Sequence, residues 1–261
     1  MQSCSVKFKI STFCALILHF AFLTLHLTIM DGILLVDKPR GFTSHDVVDL
    51  IRKRFGLKKV GHAGTLDPMA TGLLIILIGG YTKRSNEFLN HDKGYDATMT
   101  LGATSDTADA WGRITRSASA ATVTPQDIES AFKRFSGPMD QAVPPYSAKK
   151  FKGKKLYELA RKGIEVKIEP SRIVIHSLEI ININPPEVSF RVKCSKGTYI
   201  RQLCVDIGSA LGCGAYMSSL CRTGSGPFSL AGAICIDELK NMSGMELEKR
   251  LKYETNLKSK T

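Results

Sequence analysis

Closely spaced cysteine pairs and clustered histidines are missing from this sequence, and with them the usual signs of a metal centre. No two of the seven cysteines have the two-residue spacing of a zinc knuckle or a redox motif. We therefore expect no metal site and interpret the cysteines as reduced, mostly buried thiols of a cytosolic protein. They are Cys4, Cys14, Cys194, Cys204, Cys213, Cys221 and Cys235.

Internal repeats, low-complexity linkers and a recognisable nucleotide-binding loop are missing too. The Gly-rich segment 61–72 lacks the Gly-Lys-Ser/Thr ending of a Walker A loop, and His62 and Leu66 do not suit a dinucleotide fingerprint. These absences argue against a repeat protein and against a nucleotide-dependent enzyme. At 261 residues the chain is long enough for one large domain or two small ones.

Acidic residues are few relative to basic ones. The sequence has 24 Asp and Glu against 36 Lys and Arg, which leaves a net charge of +12. Such an excess favours a polyanionic partner, most often a nucleic acid, with an anionic membrane surface as the second choice.

The first 29 residues differ in composition from the rest. Residues 10–29 form a nearly uncharged apolar run, long enough for a membrane span or for the apolar region of a signal peptide. No small-residue cleavage site is evident before Gly32. We interpret residues 1–29 as a mis-assigned start or a disordered leader, with the working protein beginning near Met30. A targeting or anchoring segment is the alternative.

The segment 60–72, VGHAGTLDPMATG, holds the most suggestive acidic residue. Its single carboxylate, Asp67, lies between glycines, and Pro68 fixes the backbone of the next residue. An apolar run over residues 73–78 follows, which predicts a buried strand. A lone acid on a stiff loop is typical of a positioned nucleophile or base, but an Asx-type turn in which Asp67 only caps its own backbone fits as well.

Hydrophobic periodicity predicts strands and helices without a regular βαβ alternation. This favours an α+β fold with a largely antiparallel sheet. We expect strands over 33–36, 73–78, 95–101, 173–183 and 188–194, and helices from Thr43 or Ser44 to Gly56, over 82–90, from Thr124-Pro125 to Gly137, and from a Thr198 cap to Gly212.

Two further features concern charged residues. Arg201 lies in the first turn of the last of these helices, where its charge opposes the helix dipole, so we expect it to serve another purpose. Asp106 and Asp109 occupy a polar loop at 104–112 and are interpreted as loop structure or substrate hydrogen-bonding groups.

Residues 143–163 interleave aromatic residues with many lysines. Lysines bind phosphates, and aromatic rings stack on unpaired bases, so this composition predicts an RNA-contacting loop.

Together these segments resemble the TruB-type tRNA pseudouridine synthases. The match covers roughly residues 32–222. It is specific because several separated segments occur along the chain in the same order as in the family. The matching segments are 34–41 (LLVDKPRG), 61–72, 93–95 (KGY), 105–109 (SDTAD), 144–159, 194–201 (CSKGTYIR), 211–215 (LGCGA) and 220–222 (LCR).

The resemblance implies isomerisation of uridine 55 in the T-arm loop of tRNA to pseudouridine, with no cofactor and no metal. Asp67 would be the catalytic carboxylate, attacking C1′ or uracil C6 or stabilising charge. Tyr95 would stack on the flipped base and could serve as general base, and Arg201 would pair with Asp67.

The remaining site residues implied by the resemblance bind or surround the substrate. Leu220 would line the pocket, His62 would fill part of the space left by the flipped base, and Lys38 would support the Asp67 motif. The substrate-binding set is completed by Gly64, Thr65, Tyr199 and Asp109.

The implied architecture is the pseudouridine synthase fold, with a central mixed sheet flanked by helices. We expect a catalytic domain at 30–235 with an RNA-binding thumb inserted at about 143–170. The stretch 236–261 is interpreted as a basic tail that is too short for a complete PUA domain. The protein is expected to be a cytoplasmic monomer that acts on the tRNA T-arm and makes no membrane contact.

The chain departs from the family pattern at Cys221, where an Arg is common, and we expect a weakened phosphate or pocket contact there. One alternative function is a non-catalytic tRNA-binding and folding protein that uses the same pocket. Another is the guide-RNA-dependent branch of the same fold, against which the thumb-like insertion argues.

Overall fold

The computed structural model describes residues 30–116, 122–164 and 166–253. The leader expected at 1–29 and the end of the expected tail, 254–261, lie outside the described residues. None of the helices in the described ranges combines the length and the apolar character that a membrane crossing requires.

Most of the described strands belong to one mixed sheet of ten. The strands are β1 Gly32–Lys38, β2 Val60–Ala63, β3 Thr71–Ile78, β4 Lys93–Leu101, β5 Ala103–Ser105, β6 Ile114–Arg116, β7 Gly137–Gln141, β8 Lys150–Phe151, β9 Lys154–Lys155, β10 Ser171–Asn184, β11 Glu187–Cys194, β12 Ala215–Ser225, β13 Phe228–Ser229 and β14 Ile234–Cys235.

The order across this sheet is β14-β1-β3-β12-β4-β11-β10-β7, with β2 paired to β3 and β13 to β12. The β1–β14 and β3–β12 pairs are parallel, whereas the other pairs of the sheet are antiparallel. Two separate hairpins, β5–β6 and β8–β9, complete the strand pairing. The predicted α+β fold with a largely antiparallel sheet is confirmed.

The described helices are mostly short. They are α1 Ser44–Phe55, α2 Ser85–Leu89, α3 Pro125–Arg134, α4 Leu156–Ala160, α5 Ile200–Ala210, α6 Ile236–Asn241 and α7 Gly244–Arg250, with 3₁₀ turns at Gly79–Arg84 and Leu230–Gly232. Helix α1 begins with a capping box formed by Thr43 and Asp46 and ends at Gly56 in the left-handed conformation, as predicted.

The apolar run at 73–78 is buried on both faces because the sheet has a hydrophobic cluster on each side. Leu74, Ile76 and Ile78 face the larger cluster together with α1, α3 and α5, while Leu73, Ile75 and Leu77 pack on the other side. In β4, by contrast, burial alternates strictly from Lys93 to Leu101. The predicted period of two is confirmed there.

Two helix boundaries differ from the prediction. The helix expected at 82–90 is a 3₁₀ turn over Gly79–Arg84 followed by the short α2. Helix α3 ends at Arg134, and Gly137, with φ of 92°, opens β7 instead of ending the helix.

Residues 236–252, expected to be part of a basic tail, pack onto the domain. Leu239 and Leu247 are fully buried in the larger cluster. The Arg54 side chain donates to the carbonyl oxygens of Lys240 (2.8 Å) and Met242 (2.9 Å). Lys252 and Ile33 exchange backbone hydrogen bonds of 2.8 and 3.0 Å. The folded unit therefore continues past the boundary expected at residue 235, because the tail carries apolar residues at helical spacing.

Candidate active site

The Asp67 loop connects β2 to β3 and is held by hydrogen bonds from the start of α1. The Ser44 hydroxyl, at the start of α1, accepts from the Leu66 N–H (2.9 Å) and donates to the Leu66 carbonyl (3.2 Å). The Gly41 N–H donates to the Pro68 carbonyl (2.8 Å). These bonds fix the backbone on both sides of Asp67.

Lys38 supports the same loop from β1. Its side chain is fully buried and donates to the carbonyl oxygens of Phe42 (2.7 Å), Pro39 (3.0 Å) and Pro68 (3.5 Å). Burial lowers the pKa of Lys38 to about 8. Lys38 thus contacts the backbone of the loop that carries Asp67.

The Asp67 carboxylate is directed toward another element, not into its own turn. Its Oδ2 accepts from Nη1 of Arg201, on α5, at 2.8 Å. The turn N–H of Ala70 is bonded to the main-chain carbonyl of Asp67 (3.0 Å), so it does not use the carboxylate. The geometry favours the positioned acid over the Asx-turn interpretation.

Arg201 is a buried junction between three parts of the chain. Its side chain is 6% exposed. Besides Asp67, Nη1 lies 4.0 Å from Oδ2 of Asp109, and Nη2 donates to the main-chain carbonyl of Tyr146 at the base of the expected thumb. Asp109 is itself fixed, since its Oδ1 accepts from the Thr107 hydroxyl (2.8 Å) and the Trp111 N–H (3.0 Å).

Helix α5 presents Arg201 without the cap that the sequence predicted. Thr198 donates to the Ser195 carbonyl (2.9 Å), and the N-cap residue is Tyr199, which makes no side-chain cap bond. Instead, the amide of buried Gln141, on β7, accepts from the Tyr199 N–H (2.8 Å) and donates to its carbonyl (3.0 Å). A side chain from a distant strand thus replaces the predicted local cap.

Opposing electrostatic effects set the protonation of Asp67. Desolvation raises its pKa above the ordinary value, the Arg201 guanidinium acts against that rise, and the Asp109 charge adds to it. Of these two charges Arg201 is the stronger influence, and it bonds the Asp67 carboxylate at 2.8 Å.

Tyr95 and Arg222 form a buried pair beside this acid. The two residues are register partners on β4 and β12. Arg222 is 1% exposed and donates to the carbonyl oxygens of Leu73 (2.6 Å) and Gly64 (3.0 Å). Burial is the largest influence on the Tyr95 phenol and raises its pKa, so the hydroxyl keeps its proton.

A cleft of about 310 Å³ collects most of the predicted site residues. Its floor and walls include Gly64, Thr65, Asp67, Tyr95, Tyr199, Arg201 and Leu220. Lys38, His62 and Asp109 are not among the lining residues, but the charges of Lys38 and Asp109 act on Asp67, which is. His62 lies on β2, where burial lowers its pKa, and its buried Nδ1 atom has no hydrogen-bond partner among the residues that the structure describes.

Across the described residues, no group of three or more His, Cys, Asp or Glu side chains is arranged to hold a metal ion. The chemistry available in the cleft is that of a carboxylate, two guanidinium groups, an ammonium, a neutral phenol and an apolar wall. That combination can attack or stabilise an electron-poor carbon beside a stacked planar ring.

Comparison with known proteins identifies the family of the chain. Residues 52–200 match the N-terminal domain of the TruB family of pseudouridylate synthases, and residues 201–256 match the C-terminal domain of tRNA pseudouridylate synthase B. The chain belongs to the TruB family.

TruB-family relatives are similar over most of the chain. The tRNA pseudouridine synthase B of Alkaliphilus oremlandii is 51% identical over 83% of this chain and 72% of its own, and that of Protochlamydia amoebophila is 47% identical over 83% and 82%.

Two solved structures share the fold. A chain of a Cbf5–Nop10–Gar1 complex is 30% identical with a TM-score of 0.69, covering 90% of this chain and 63% of its own. A chain of an H/ACA ribonucleoprotein bound to a substrate RNA containing 2′-deoxyuridine is 30% identical with a TM-score of 0.62, covering 87% and 57%. This chain thus spans about three fifths of those two.

Cys221, where the sequence analysis expects a departure from the family pattern, does not line the cleft. It lines a separate cavity of about 460 Å³ together with Arg40, Thr71 and Cys235. Alternate residues of β12 face opposite sides of the sheet, so Leu220 and Arg222 reach the cleft and Cys221 does not. The expected weakening of a pocket contact is therefore wrong as far as this cleft is concerned.

Several residues of the site were not predicted. Arg222 and Lys93 line the cleft, and Ser44 and Gln141 hold its backbone. Lys93 and Arg222 fall in segments that resemble the family, but their burial depends on strand pairing that no local pattern indicates. Gln141 ends a short strand whose residues carry no functional signal.

Proposed function

We propose that this protein isomerises uridine 55 in the T-arm loop of tRNA to pseudouridine. The observation that carries the proposal is the 2.8 Å bond between Asp67 and buried Arg201 in a cleft that also holds Tyr95 and Leu220. The similarity of the chain to curated tRNA pseudouridine synthases B over most of its length supports tRNA as the substrate.

The reaction exchanges one bond of the uracil for another. The N1–C1′ bond breaks, the ring turns, C5 bonds to C1′, and the proton leaves C5 while N1 gains one. Asp67 is the nucleophile of this scheme: its bond to C1′ replaces the N1–C1′ bond and breaks when C5 attacks C1′, or its bond to C6 takes up the C5–C6 double bond and breaks when that double bond re-forms. Arg201 keeps it ionised and aimed, since a guanidinium is both an opposite charge and a directional donor.

Tyr95 supplies the surface on which the flipped base stacks. An aromatic ring recovers part of the free energy lost when the base leaves its stack. The raised pKa of its phenol favours this role over that of general base, because a base must accept a proton and the buried phenol retains its own.

The remaining residues bind or position. Leu220, Tyr199, Thr65 and Gly64 shape the walls around the base, and Asp109 lies 4.0 Å from the same Nη1 atom of Arg201 that bonds Asp67. Lys38 fixes the loop that carries Asp67. His62, on the strand that leads into that loop, fills the gap left in the RNA stack.

Residues 143–170 act as the thumb that closes over the RNA loop. In this segment Lys155 and Arg161 lie over the ring of Tyr157 at 5.4 and 5.5 Å. Exposed cations beside an aromatic ring suit the phosphates and bases of a loop. We assign the activity to a cytoplasmic monomer that needs neither cofactor nor metal.

The test incubates the full chain with an unmodified tRNA transcript and maps pseudouridine by carbodiimide treatment and primer extension. We expect a primer-extension stop at position 55 with the wild type. We expect the same stop with the control variant Asp49→Ala, because the side chain of Asp49 on α1 is 42% exposed. Asp67→Ala should give none while binding tRNA within a few-fold of the wild type.

Two results would contradict the proposal. Product from Asp67→Ala at the wild-type rate would remove Asp67 from the mechanism. Binding without product by the wild type would favour the non-catalytic folding role, whereas a requirement for a guide RNA would favour the activity suggested by the H/ACA likeness.

A further inference from the structure

The cleft contains more buried positive charge than its own acid can balance. Three cations line it, namely Lys93, Arg201 and Arg222, against the single carboxylate of Asp67. Arg201 already pairs with Asp67. Within the described ranges, neither Lys93 nor Arg222 has a carboxylate within ion-pair distance. Buried charges are normally paired, so an unbalanced pair of cations in a cleft indicates an anionic ligand.

Lys93 is the cation with a donor to spare. It is 7% exposed, and its ammonium donates to the carbonyl oxygens of Leu89 (2.7 Å) and His91. An ammonium has three N–H donors, so one is left for a ligand. Arg222, by comparison, directs its Nε and Nη2 atoms at main-chain carbonyls and contributes mainly charge.

Neighbouring groups do not neutralise Lys93. Its register partner on β11 is Cys194, whose thiol has a pKa raised to about 11 by burial and therefore stays uncharged. Asp92, the adjacent residue, directs its carboxylate to His176 at 3.1 Å. The phenol of Tyr95 stays neutral as well.

Strand geometry places Lys93 in line with the base-stacking residue. Lys93 and Tyr95 are two residues apart on β4 and share one face, since side chains alternate along a strand. Neighbouring residues of one strand face lie about 7 Å apart, close to the distance from a base to the phosphate of its own nucleotide. A ligand that stacks on Tyr95 therefore brings a phosphate within reach of Lys93.

We propose that Lys93 binds a non-bridging oxygen of a phosphodiester that flanks the target uridine. The positive charge of Arg222, on the neighbouring strand β12, adds to the attraction. The site is a second anchor inside the cleft, distinct from the lysines of the thumb. It rests on the proposed function only in requiring an RNA substrate, and not on which uridine is modified.

The test combines variants of Lys93 with neutralised phosphates. Each synthetic stem-loop carries one uncharged methylphosphonate at a single linkage beside the target, next to a 2′-O-methyl nucleotide. Its control is the same 2′-O-methyl RNA with an ordinary phosphodiester at that linkage. The proteins are wild type, Lys93→Met, Lys93→Gln and Lys93→Arg. Gln keeps donors for the Leu89 and His91 carbonyls without the charge. Lys133→Met, at an exposed position on α3, is the control for general electrostatics.

For the wild type and Lys133→Met, neutralising the contacted linkage should lower kcat/KM by about 10- to 100-fold, as expected for a hydrogen bond to a charged group. Neutralising the same linkage should have little further effect on Lys93→Met or Lys93→Gln, because their kcat/KM on the ordinary linkage is already lower than that of the wild type by a similar factor. Lys93→Arg should retain the sensitivity of the wild type. Thermal unfolding of each variant verifies that it is folded.

Equal losses at every linkage in wild type and charge-removed variants would overturn the proposal and leave Lys93 as a residue that only ties Leu89 and His91 to β4. Failure of the proposed tRNA function looks different, because the wild type would then make no pseudouridine on the unmodified stem-loop.

Discussion

Nη1 of Arg201 donates to Oδ2 of Asp67 across a separation of 134 residues, at 2.8 Å. The acid lies on a loop clamped by α1, and the arginine lies in the first turn of α5, where the helix dipole opposes its charge. The pair therefore exists because of the tertiary fold and against the local preference of the helix.

Arg201→Lys should lower kcat by about 10- to 100-fold while tRNA binding changes little. A lysine keeps the charge, but it cannot bond Asp67 and the Tyr146 carbonyl at once with the geometry of a planar fork. Single-turnover rates with saturating enzyme measure the effect. Arg191→Lys is the matched control, since Arg191 makes a two-pronged contact with Asp96 on the exposed face of the sheet. An equal loss in both variants would contradict the special role of Arg201.

Asp109→Asn should move the acid limb of the pH–rate profile to lower pH. The reaction needs ionised Asp67, so activity is lost as the pH falls through the Asp67 pKa. The Asp109 charge raises that pKa, and its removal lowers it. Asp106→Asn is the control, because Asp106 lies in the same loop and bonds the Arg113 N–H. An acid limb that stays in place or moves to higher pH would show that Asp109 does not act through the charge of Asp67.

Lys38→Met should lower the free energy of unfolding by about 1–3 kcal/mol, because it leaves the buried carbonyls of Phe42 and Pro39 without their donor. The effect should depend on pH. The folded-state pKa of Lys38 is about 8, below the ordinary value of 10.5 for a lysine, so between these values the unfolded chain binds more protons. The difference in unfolding free energy between wild type and variant should therefore widen from pH 8 to 10.5. Urea denaturation across this range measures it, and a constant difference would contradict the burial of a charged Lys38.

Leu247→Ala should destabilise the protein by about 2–5 kcal/mol, whereas Met245→Ala on the same helix should change stability by less than about 0.5 kcal/mol. Leu247 is fully buried, and Met245 is 75% exposed. Thermal unfolding distinguishes them. Similar small effects would mean that α7 is a dispensable appendage of the domain.

Local sequence patterns predicted the elements that are stabilised locally. The Thr43 cap, the Gly56 stop and the alternation of β4 each depend on neighbouring residues and on one periodicity. The Thr198 cap was predicted on the same grounds and is wrong, because Gln141 on another strand satisfies the backbone of Tyr199 instead.

The site itself could be expected only in part. The resemblance to a family brought Asp67, Tyr95 and Arg201 together before any contact was known, and the structure places all three in one cleft. The sequence did not predict Arg222 as a site residue, because its burial follows from the position of β12 between β3 and β4. The interpretation of residues 236–261 as a tail followed from their lysines, whereas Leu239, Leu247 and Leu251 in this stretch are all buried.

The bond from Arg201 to the Tyr146 carbonyl joins the expected thumb to the proposed catalytic acid, Asp67, through one guanidinium. Thermodynamic reciprocity then applies to the two ends. If drawing the thumb onto RNA changes the charge state of Asp67, protonating Asp67 must change the affinity of the thumb for RNA by the same factor. In that case the RNA dissociation constant of the folded protein should change with pH over the range in which Asp67 titrates.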